Sequence, residues 1–425
     1  MLQKTSETIS LESEINMIGN ILILTQWSFK DALVQTYTLP YVDIIRQIVS
    51  SDRKLVLVTA EQEHIALTKE ETDKINREWA SRNMQLLPGP YKRFGLKKII
   101  AAIGNIFRLY KIVKKENIKT IHAFCTPAGG IGYILNKLTG VEIVVDSYEP
   151  HAESMVENGT WKKGSLAFKI LFFLEKKQTQ RAKALIGTTA GMKQYASDKY
   201  GVQVKNFFVK PACVDLEKFS PKEKELSLLK KLGLENKIVC VYAGKLGGIY
   251  LKAEVFDFIK ACYDNWKNDF RFLMLTNASR DEIDAECSRV GLPGEIVISR
   301  FVFHNEIPAY LSLGDFAINP VKPVPTKRYC TSIKDGEYWA MGLPVVISPG
   351  ISDDSEIITR ENIGVGMDFA DKSQFSSTLN KLEEFLQIKN ELKKKVRKVG
   401  EQYRSYIIAE NIYNIIYGNA PSKGN

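Results

Sequence analysis

The chain has 425 residues, 44% of them hydrophobic and 25% charged, which is typical of a globular protein too long for a single ordinary core. Its net charge is +10, and the whole excess lies in residues 1–210, which hold 30 Lys and Arg against 20 Asp and Glu, while residues 211–425 hold 29 of each. This asymmetry predicts that the first half of the chain meets an anionic surface or substrate.

The same sequence argues against export and membrane insertion. Residues 1–20 are polar and acidic, without the cationic start and apolar run of a secretory signal. The longest nearly apolar runs, 99–107 and 165–174, are shorter than the roughly 18 residues that a membrane span needs. The six cysteines form no CxxC pair, so we interpret them as reduced structural thiols. We therefore expect a soluble, cytoplasmic protein.

The first half alternates apolar, β-rich runs with stretches of helical length. The predicted strands are 20–26, 54–60, 118–124, 142–147, 184–189 and 206–211. Near-continuous apolar strands separated by helices are typical of a parallel sheet covered on both faces.

The second half repeats this pattern after a charged, aperiodic linker at 210–225. Its predicted strands are 236–244, 271–277, 295–301, 316–321 and 344–349, and a helical tract at 374–417 follows. The fold class is thus α/β, with two Rossmann-like, doubly wound domains facing a cleft. We place the domains at 1–212 and 213–400, followed by a C-terminal helix and tail at 401–425 that is able to pack back on the first domain.

A glycine-rich turn follows the first strand of the second half. Gly244 ends the strand, and Lys245 and Lys252 flank the turn. Backbone amides with an ammonium on either side suit a diphosphate. Since Gly-Gly turns are common and surface lysines are usually solvated, the motif alone does not decide between binding and an ordinary turn.

A short helix is predicted to begin at Ile333. Ser332, with Asp335 three residues later, resembles a capping box. Lys334 and Glu337 would then share one helix face, where the carboxylate accepts two hydroxyl protons, as a ribose diol requires, and the helix N-terminus with Lys334 serves phosphates. The alternative is an exposed Glu337 that pairs with Lys334.

Several segments in the same order resemble the retaining GT-B glycosyltransferases of family 4. On the donor side they are GKLGG (244–248), VFHNEIPAYLSLGDFAINP (302–320), TSIKDGEYWAMGLPVV (331–346) and SPGISDDSEII (348–358). On the acceptor side they are HAFCTPAGGIGYIL (122–135), VVDSYEPHAESM (144–155) and ALIGTTAGMKQY (184–195). The resemblance implies transfer of a sugar, with retention, from a UDP- or GDP-linked donor to an acceptor hydroxyl, without a metal or other cofactor.

The resemblance also implies roles for individual residues. Glu337 matches the glutamate that holds the donor ribose, and Lys245 and Lys252 match basic residues that neutralise the diphosphate during catalysis. The rest of the donor site would comprise Gly244, Lys327, Thr331, Ser332 and Lys334. The family's first glutamate would stand at position 329, where this chain has Tyr329. Another nearby residue then takes that role, or the activity is altered or lost.

On the acceptor side, His151 is the closest match to the family's histidine near the reactive carbon. It follows the predicted strand 142–147. A lone loop histidine is more often structural or exposed, so its catalytic role here comes from the resemblance.

Two basic amphipathic stretches carry much of the positive excess. Residues 91–120 hold nine Lys and Arg against one Glu, and residues 161–183 form the second stretch. Both suit an anionic membrane surface on the inner face of the membrane, and hence a glycan or lipid-linked acceptor. Either one also fits an ordinary helix with a solvated basic face. No nucleic-acid recognition motif is present, and we do not expect that partner.

Two other functions remain open. The first is a non-catalytic relative that binds nucleotide or glycan and supports a partner enzyme, which Tyr329 would allow. The second is a sugar-nucleotide epimerase on the same fold, which would need several carboxylates and histidines around the sugar, whereas this chain has four histidines in all.

Overall fold

The computed structural model describes residues 19–91 and 99–418, with residues 99–102 described by their backbone alone. Within these ranges the chain forms two compact units: unit 1 comprises residues up to 210 together with 407–418, and unit 2 comprises 211–406. The polar start at residues 1–18 and the basic residues 92–98, both used above, lie outside the described residues.

Unit 1 is built on a seven-stranded, fully parallel sheet in the order β3-β2-β1-β4-β5-β6-β7. Its strands are β1 (Asn20–Leu24), β2 (Leu55–Glu61), β3 (Met84–Pro90), β4 (Ile118–Phe124), β5 (Glu142–Tyr148), β6 (Ala184–Gly187) and β7 (Phe207–Val209). Its helices are α1 (Leu39–Ile48), α2 (Lys69–Ala80), α3 (Ile99–Lys115), α4 (Thr126–Thr139), α5 (His151–Glu157), α6 (Leu166–Arg181) and α7 (Gly191–Tyr200). The central strands are buried on both faces, as their apolar sequences require.

Unit 2 repeats this topology with a six-stranded parallel sheet in the order β10-β9-β8-β11-β12-β13. Its strands are β8 (Ile238–Ala243), β9 (Phe270–Leu275), β10 (Val297–Arg300), β11 (Phe316–Asn319), β12 (Val345–Ile347) and β13 (Gly364–Gly366). Its helices are α8 (Leu226–Leu232), α9 (Ala253–Trp266), α10 (Arg280–Val290), α11 (Ile307–Leu311), α12 (Ile333–Ala340), α13 (Asp354–Arg360), α14 (Phe375–Gln387) and α15 (Lys389–Arg404). In each unit the strand order reverses beside the first strand, and ligands of open α/β sheets bind at that point.

The predicted α/β fold class is confirmed, but two strands were missed. Strand β3 contains Pro88 and Pro90, and it tolerates them because it lies at the edge of its sheet. Strand β13 has only the three residues GVG, which are too few to show alternation or an apolar run.

The predicted helical tract at 374–417 is three helices. It breaks at Ile388 and again between Arg404 and Ile407, where the last helix of the described chain, α16 (Ile407–Tyr417), begins. The predicted boundary at residue 400 therefore falls inside α15, and α16 belongs to unit 1.

Glycines in α4 allow another helix to come close. A Cβ on Gly129 would lie 1.7 Å from the side-chain oxygen of Gln178, and a Cβ on Gly130 would lie 3.2 Å from Leu174, both residues of α6. The side-chain amide of Gln178 donates to the carbonyl of Thr126 at 3.0 Å. Packing between α4 and α6 therefore explains these two glycines.

No helix in the described part of the chain combines the length and the hydropathy needed to cross a membrane.

Candidate functional site

The structure brings several predicted residues together at one edge of the unit 2 sheet. Strands β8 and β11 are neighbours, so the turn after β8 and the start of α12, which follows β11, lie at the same carboxyl edge. Lys334 on α12 and Gly244 after β8 confirm this, because a Cβ on Gly244 would lie 2.6 Å from Cε of Lys334. A side chain at position 244 would therefore force Lys334 and the ring of Tyr242 to move.

Lys334 is held in place by an aromatic ring. Its ammonium donates to the hydroxyl of Tyr250 at 2.6 Å and lies 4.1 Å from the centre of the same ring. It does not pair with Glu337, so the alternative of an exposed Glu337–Lys334 pair is wrong.

Glu337 is almost fully buried and has a histidine partner. Its side chain is 8% exposed, and its Oε1 lies 3.0 Å from Nε2 of His304. His304 is 39% exposed, and its Nδ1 lies 2.9 Å from the ammonium of Lys218. A carboxylate with one hydrogen-bonded oxygen and a partially exposed neighbour remains able to accept from a ligand.

The glycine-rich turn has the backbone of a loop that is open to a ligand. Gly247 and Gly248 both have positive φ, +73° and +63°, and the amide of Tyr250 donates to the carbonyl of Gly247 at 3.0 Å. The hydroxyl of Tyr242 donates to the carbonyl of Lys245 at 2.6 Å. The Lys245 side chain is exposed to solvent.

Lys252 is engaged elsewhere. Its ammonium lies 2.9 Å from Glu282 and 3.6 Å from Glu286, both on α10. The hydrogen bond to Glu282 raises the pKa of Lys252 above its usual value. A diphosphate would have to compete with these two carboxylates for this charge.

The predicted helix start at Ile333 is confirmed, but the capping box is wrong. Ser332 precedes the helix without a side-chain capping bond. Asp335 is buried instead and accepts from the side-chain amide of Asn319 at 2.7 Å. Burial, and then the nearby carboxylate of Asp354, raise the pKa of Asp335 well above its usual value. The first turn of α12 therefore has no side-chain cap from Ser332.

The other predicted donor residues lie close to this helix start in the sequence. Thr331 accepts from the backbone amide of Ala212 at 2.8 Å, which ties the start of unit 2 to the loop before α12. Lys327 is half-buried, on a 3₁₀ turn whose carbonyl accepts from the amide of Ser352 at 2.9 Å. Tyr329 ends this turn, and the Arg328 guanidinium lies 5.6 Å from its ring.

In unit 1, His151 is half-buried and is the first residue of α5. The helix start is supported by a buried carboxylate, since Glu175 accepts from the amide of Ala152 at 2.8 Å and from the hydroxyl of Tyr200 at 2.9 Å. Burial raises the pKa of Glu175 to about 8.

Unit 1 also contains a polar cluster that sequence reasoning missed. Asp146 lies 3.3 Å from Nε2 of His122 and 3.2 Å from the ammonium of Lys210, and none of the three side chains is exposed. The hydroxyl of Tyr413 on α16 donates to Asp146 at 2.5 Å, and Lys210 lies 3.2 Å from the centre of the Tyr41 ring. Burial alone would raise the pKa of Asp146, but Lys210 and then His122 outweigh it, and the pKa falls to about 2.

The chemistry at the unit 2 edge suits an anion with an attached diol. It offers the ammonium groups of Lys245 and Lys334, a helix N-terminus and the Glu337 carboxylate. Among residues 19–91 and 99–418, no group of three or more His, Cys, Asp or Glu is arranged to hold a metal ion.

His304 and Lys218 are the site residues that the sequence did not reveal. His304 lies 33 positions before Glu337, and Lys218 a further 86 before His304. No local pattern connects residues at such separations, and the available signal was only that His304 falls inside one of the segments that carry the family resemblance.

One curated relative is similar in sequence. A stretch of 150 residues is 31% identical to the Escherichia coli UDP-Gal:alpha-D-GlcNAc-diphosphoundecaprenol alpha-1,3-galactosyltransferase and covers 35% of this chain and 37% of that enzyme. The chain therefore matches little more than a third of this relative's length. No protein-family model matches the chain.

Solved structures match nearly the whole chain. HepE of Anabaena, in complex with UDP, has a TM-score of 0.69 at 13% identity, covering 92% of this chain and 97% of its own. WaaG, a glycosyltransferase involved in lipopolysaccharide biosynthesis, has a TM-score of 0.67 at 13% identity, covering 94% of this chain and 100% of its own. At these identities the likeness concerns the fold. The resemblance seen in the sequence is confirmed at this level: the chain has the fold of the GT-B glycosyltransferases.

Proposed function

We propose that this protein is a glycosyltransferase that moves a sugar from a nucleotide-diphosphate sugar to an acceptor hydroxyl with retention of configuration. The observation that carries the proposal is Glu337, a nearly buried carboxylate beside Lys334 and the glycine turn, at the edge where ligands of such sheets bind. The relatives support it, since the E. coli protein is a galactosyltransferase and HepE has been solved with UDP-glucose.

The donor in this proposal is UDP-linked. Glu337 accepts a hydrogen bond from a ribose hydroxyl, and the diphosphate lies against Lys245, Lys334 and the first turn of α12. Lys327, Thr331 and Ser332 contribute the neighbouring surface, and Lys252 provides further positive charge once a phosphate competes with its glutamates. Cations placed where the leaving diphosphate gains charge stabilise the transition state without a metal.

The proposed reaction needs no carboxylate nucleophile. The bond between the sugar's anomeric carbon and the diphosphate oxygen breaks, and the acceptor oxygen forms a new bond to that carbon on the same face. The acceptor proton passes to the departing phosphate oxygen. His151 would contact the sugar near the reacting carbon, a role that rests on the family resemblance.

The proposed function is tested by measuring whether the protein cleaves a nucleotide sugar. The protein is incubated with UDP-galactose, UDP-glucose or GDP-mannose, and release of the nucleoside diphosphate is followed with and without a candidate glycan acceptor. We expect release with a UDP-sugar that is lost in Glu337→Gln and strongly reduced in His151→Ala. Retention is read from the anomeric coupling constant of the product by proton NMR. Inversion at the anomeric carbon would overturn the retaining mechanism.

A non-catalytic relative is the second candidate, and Tyr329 favours it. This residue stands where the family has a glutamate that approaches the sugar. In that case UDP binds but no UDP-sugar is cleaved under any condition. An epimerase would instead exchange the hydrogen at the second carbon of the sugar without an acceptor.

The acceptor in this proposal is a glycan or a lipid-linked saccharide, reached at the inner face of a membrane. Helices α3 and α6 expose apolar side chains next to lysines: Ile103 and Phe107 on α3 are 63% and 57% exposed, and Phe173 on α6 is 53% exposed. Lys111 lies 4.5 Å from the centre of the Phe107 ring, and Lys177 lies 5.5 Å from that of Phe173.

A groove of about 520 Å³ beside α3 also supports contact with a membrane. It is lined by Phe107, Arg108, Lys111 and Lys115, among other residues. Exposed apolar groups next to cations suit a surface of anionic lipids.

Membrane contact is tested by sedimentation with vesicles of phosphatidylglycerol and phosphatidylcholine. We expect the protein to sediment with the anionic vesicles at low salt, and we expect Phe107→Ser to weaken this binding by about threefold or more. Leu138→Ser, which alters an exposed leucine on α4, is the matched control. Equal binding to neutral vesicles, or none to either kind, would overturn this part of the proposal.

A further inference from the structure

A histidine links a lysine to the carboxylate that the proposed donor site depends on. Nδ1 of His304 lies 2.9 Å from the Lys218 ammonium, and Nε2 lies 3.0 Å from Oε1 of Glu337. All three residues belong to unit 2, on three separate segments of the chain.

The two contacts determine which ring nitrogen of a neutral His304 carries the proton. An ammonium group has only protons to donate, so Nδ1 accepts from Lys218. The single ring proton then lies on Nε2 and is donated to Glu337. The hydrogen bond to Glu337 thus has a defined direction.

Lys218 is held rigidly on its own turn. The carboxylate of Asp215 accepts from the amides of Glu217 and Lys218 at 3.0 and 2.9 Å. Arg397 on α15 donates to the carbonyls of Leu216 and Phe219 at 3.0 and 2.7 Å. The backbone from which the Lys218 side chain extends is therefore held in place, and the ammonium itself is held by its contact with His304.

These contacts orient the carboxylate for a ligand. Oε1 of Glu337 is already hydrogen-bonded, whereas Oε2 has no hydrogen-bond partner among the described residues. A carboxylate fixed in one plane binds a hydroxyl with less loss of side-chain freedom than one that rotates. We propose that His304, supported by Lys218, is a positioning residue that orients Glu337 to accept a ribose hydroxyl of the donor. This inference deepens the proposed function and rests on it.

A purely structural role predicts a different outcome. The ring of His304 packs near Phe219, with the two centroids 5.6 Å apart, so a substitution could disturb the fold locally. A local disturbance would weaken every nucleotide alike. Loss of orientation would weaken only a ligand that has the hydroxyl which Glu337 accepts.

The experiment compares UDP with 2′-deoxy-UDP and 3′-deoxy-UDP by isothermal titration calorimetry on the full chain. We expect the wild type to bind UDP about ten- to a hundredfold more tightly than one of the deoxy forms, since a hydrogen bond to a charged group is lost.

His304→Leu should lower this ratio of affinities about three- to tenfold and leave the affinity for that deoxy form nearly unchanged. His304→Gln, whose amide can still donate, should restore most of the ratio, and Lys218→Met should lower it less than His304→Leu does. His64→Gln, which alters an exposed histidine in unit 1, is the control.

The failures can be told apart. If the wild type binds no UDP, or binds all three nucleotides equally, the proposed donor site is wrong and the role of His304 falls with it. If the wild type discriminates and His304→Leu keeps the full ratio, the donor site stands and the positioning role is wrong. Equal loss of affinity for all three nucleotides in His304→Leu also overturns the positioning role.

Discussion

Each unit contains a carboxylate, a histidine and a lysine near the carboxyl edge of its sheet, and the two groups differ in exposure. In unit 1 the side chains of Asp146, His122 and Lys210 are all fully buried, and nitrogen atoms of both His122 and Lys210 lie within 3.3 Å of the carboxylate. Charged groups buried in this way are part of the core. They destabilise the folded state if one of them loses its partner.

In unit 2 the histidine stands between the other two groups and reaches solvent. The Glu337 carboxylate pairs with His304, which is 39% exposed, and the Lys218 ammonium contacts the other nitrogen of the His304 ring. In the proposed donor site this carboxylate is therefore within reach of a ligand. The comparison teaches that the same three residue types form a buried charge cluster in unit 1 and a proposed ligand site in unit 2, and that exposure and pairing distinguish the two groups.

The largest expected effect is the loss of stability when the unit 1 cluster loses its lysine. Lys210→Met leaves Asp146 buried without its cation, and removing one partner of a buried pair costs about 3–5 kcal/mol. Urea denaturation followed by circular dichroism should show this loss as a lower midpoint. Lys205→Met, which removes an exposed lysine from the same segment, should change the midpoint little. Equal midpoints for the two variants would show that the cluster does not stabilise the fold.

Glu175 is a buried carboxylate whose pKa is raised rather than lowered. Its effect on the pH dependence of stability should therefore be opposite to that of Asp146. The pKa of Glu175 is raised to about 8, so between pH 4.5 and 8 the folded state binds more protons than the unfolded state. The contribution of Glu175 to stability is therefore present below this window and is lost as pH rises through it, by up to about 1.4 kcal/mol per pH unit.

Glu175→Gln should remove this dependence, because the amide stays neutral. Unfolding midpoints of the wild type and Glu175→Gln are compared at pH 5, 6, 7 and 8, where the gap between them should change steadily in favour of the variant. Asp146, whose pKa is lowered to about 2, should cost stability only as pH falls from about 4 through 2. A gap that stays constant from pH 5 to 8 would contradict the assignment for Glu175.

The smallest expected effect is a difference in UDP affinity between variants of two lysines in unit 2. Lys334 lies against the glycine turn, whereas Lys252 is paired with two glutamates. Lys334→Met should weaken UDP binding about three- to tenfold at low salt, and less at high salt, where screening weakens charge contacts. Lys252→Met should weaken it by less than Lys334→Met does. Calorimetry at two salt concentrations measures both, and the reverse order would contradict the proposed placement of the diphosphate.

Much of the fold could be read from the sequence because parallel strands buried on both faces are continuous apolar runs. Val239–Tyr242 is such a run, and it lies in the core with no exposed surface. Strand β3 was missed because it contains two prolines, which the edge of a sheet tolerates, and β13 was missed because it has only three residues.

The candidate site was predictable only where it is local. Glu337 and Lys334 share one short helix that precedes a strand, so their neighbourhood is visible in the sequence. Asp335 occupies the position of a capping residue but turns inward to Asn319, and the sequence pattern is the same in both cases. His304 and Lys218 reach Glu337 only through the fold.

The central claim is that Glu337 belongs to a nucleotide-sugar donor site. The most direct measurement is the thermal unfolding midpoint of the wild type and Glu337→Gln with UDP, GDP, TDP, ADP and CMP. A ligand at 100 times its dissociation constant adds roughly 2.7 kcal/mol to the stability of the folded state, enough to raise the midpoint by several degrees. We predict a rise with UDP in the wild type that is lost in Glu337→Gln at the same concentration. Equal rises in both proteins, or no rise with any nucleotide, would contradict it.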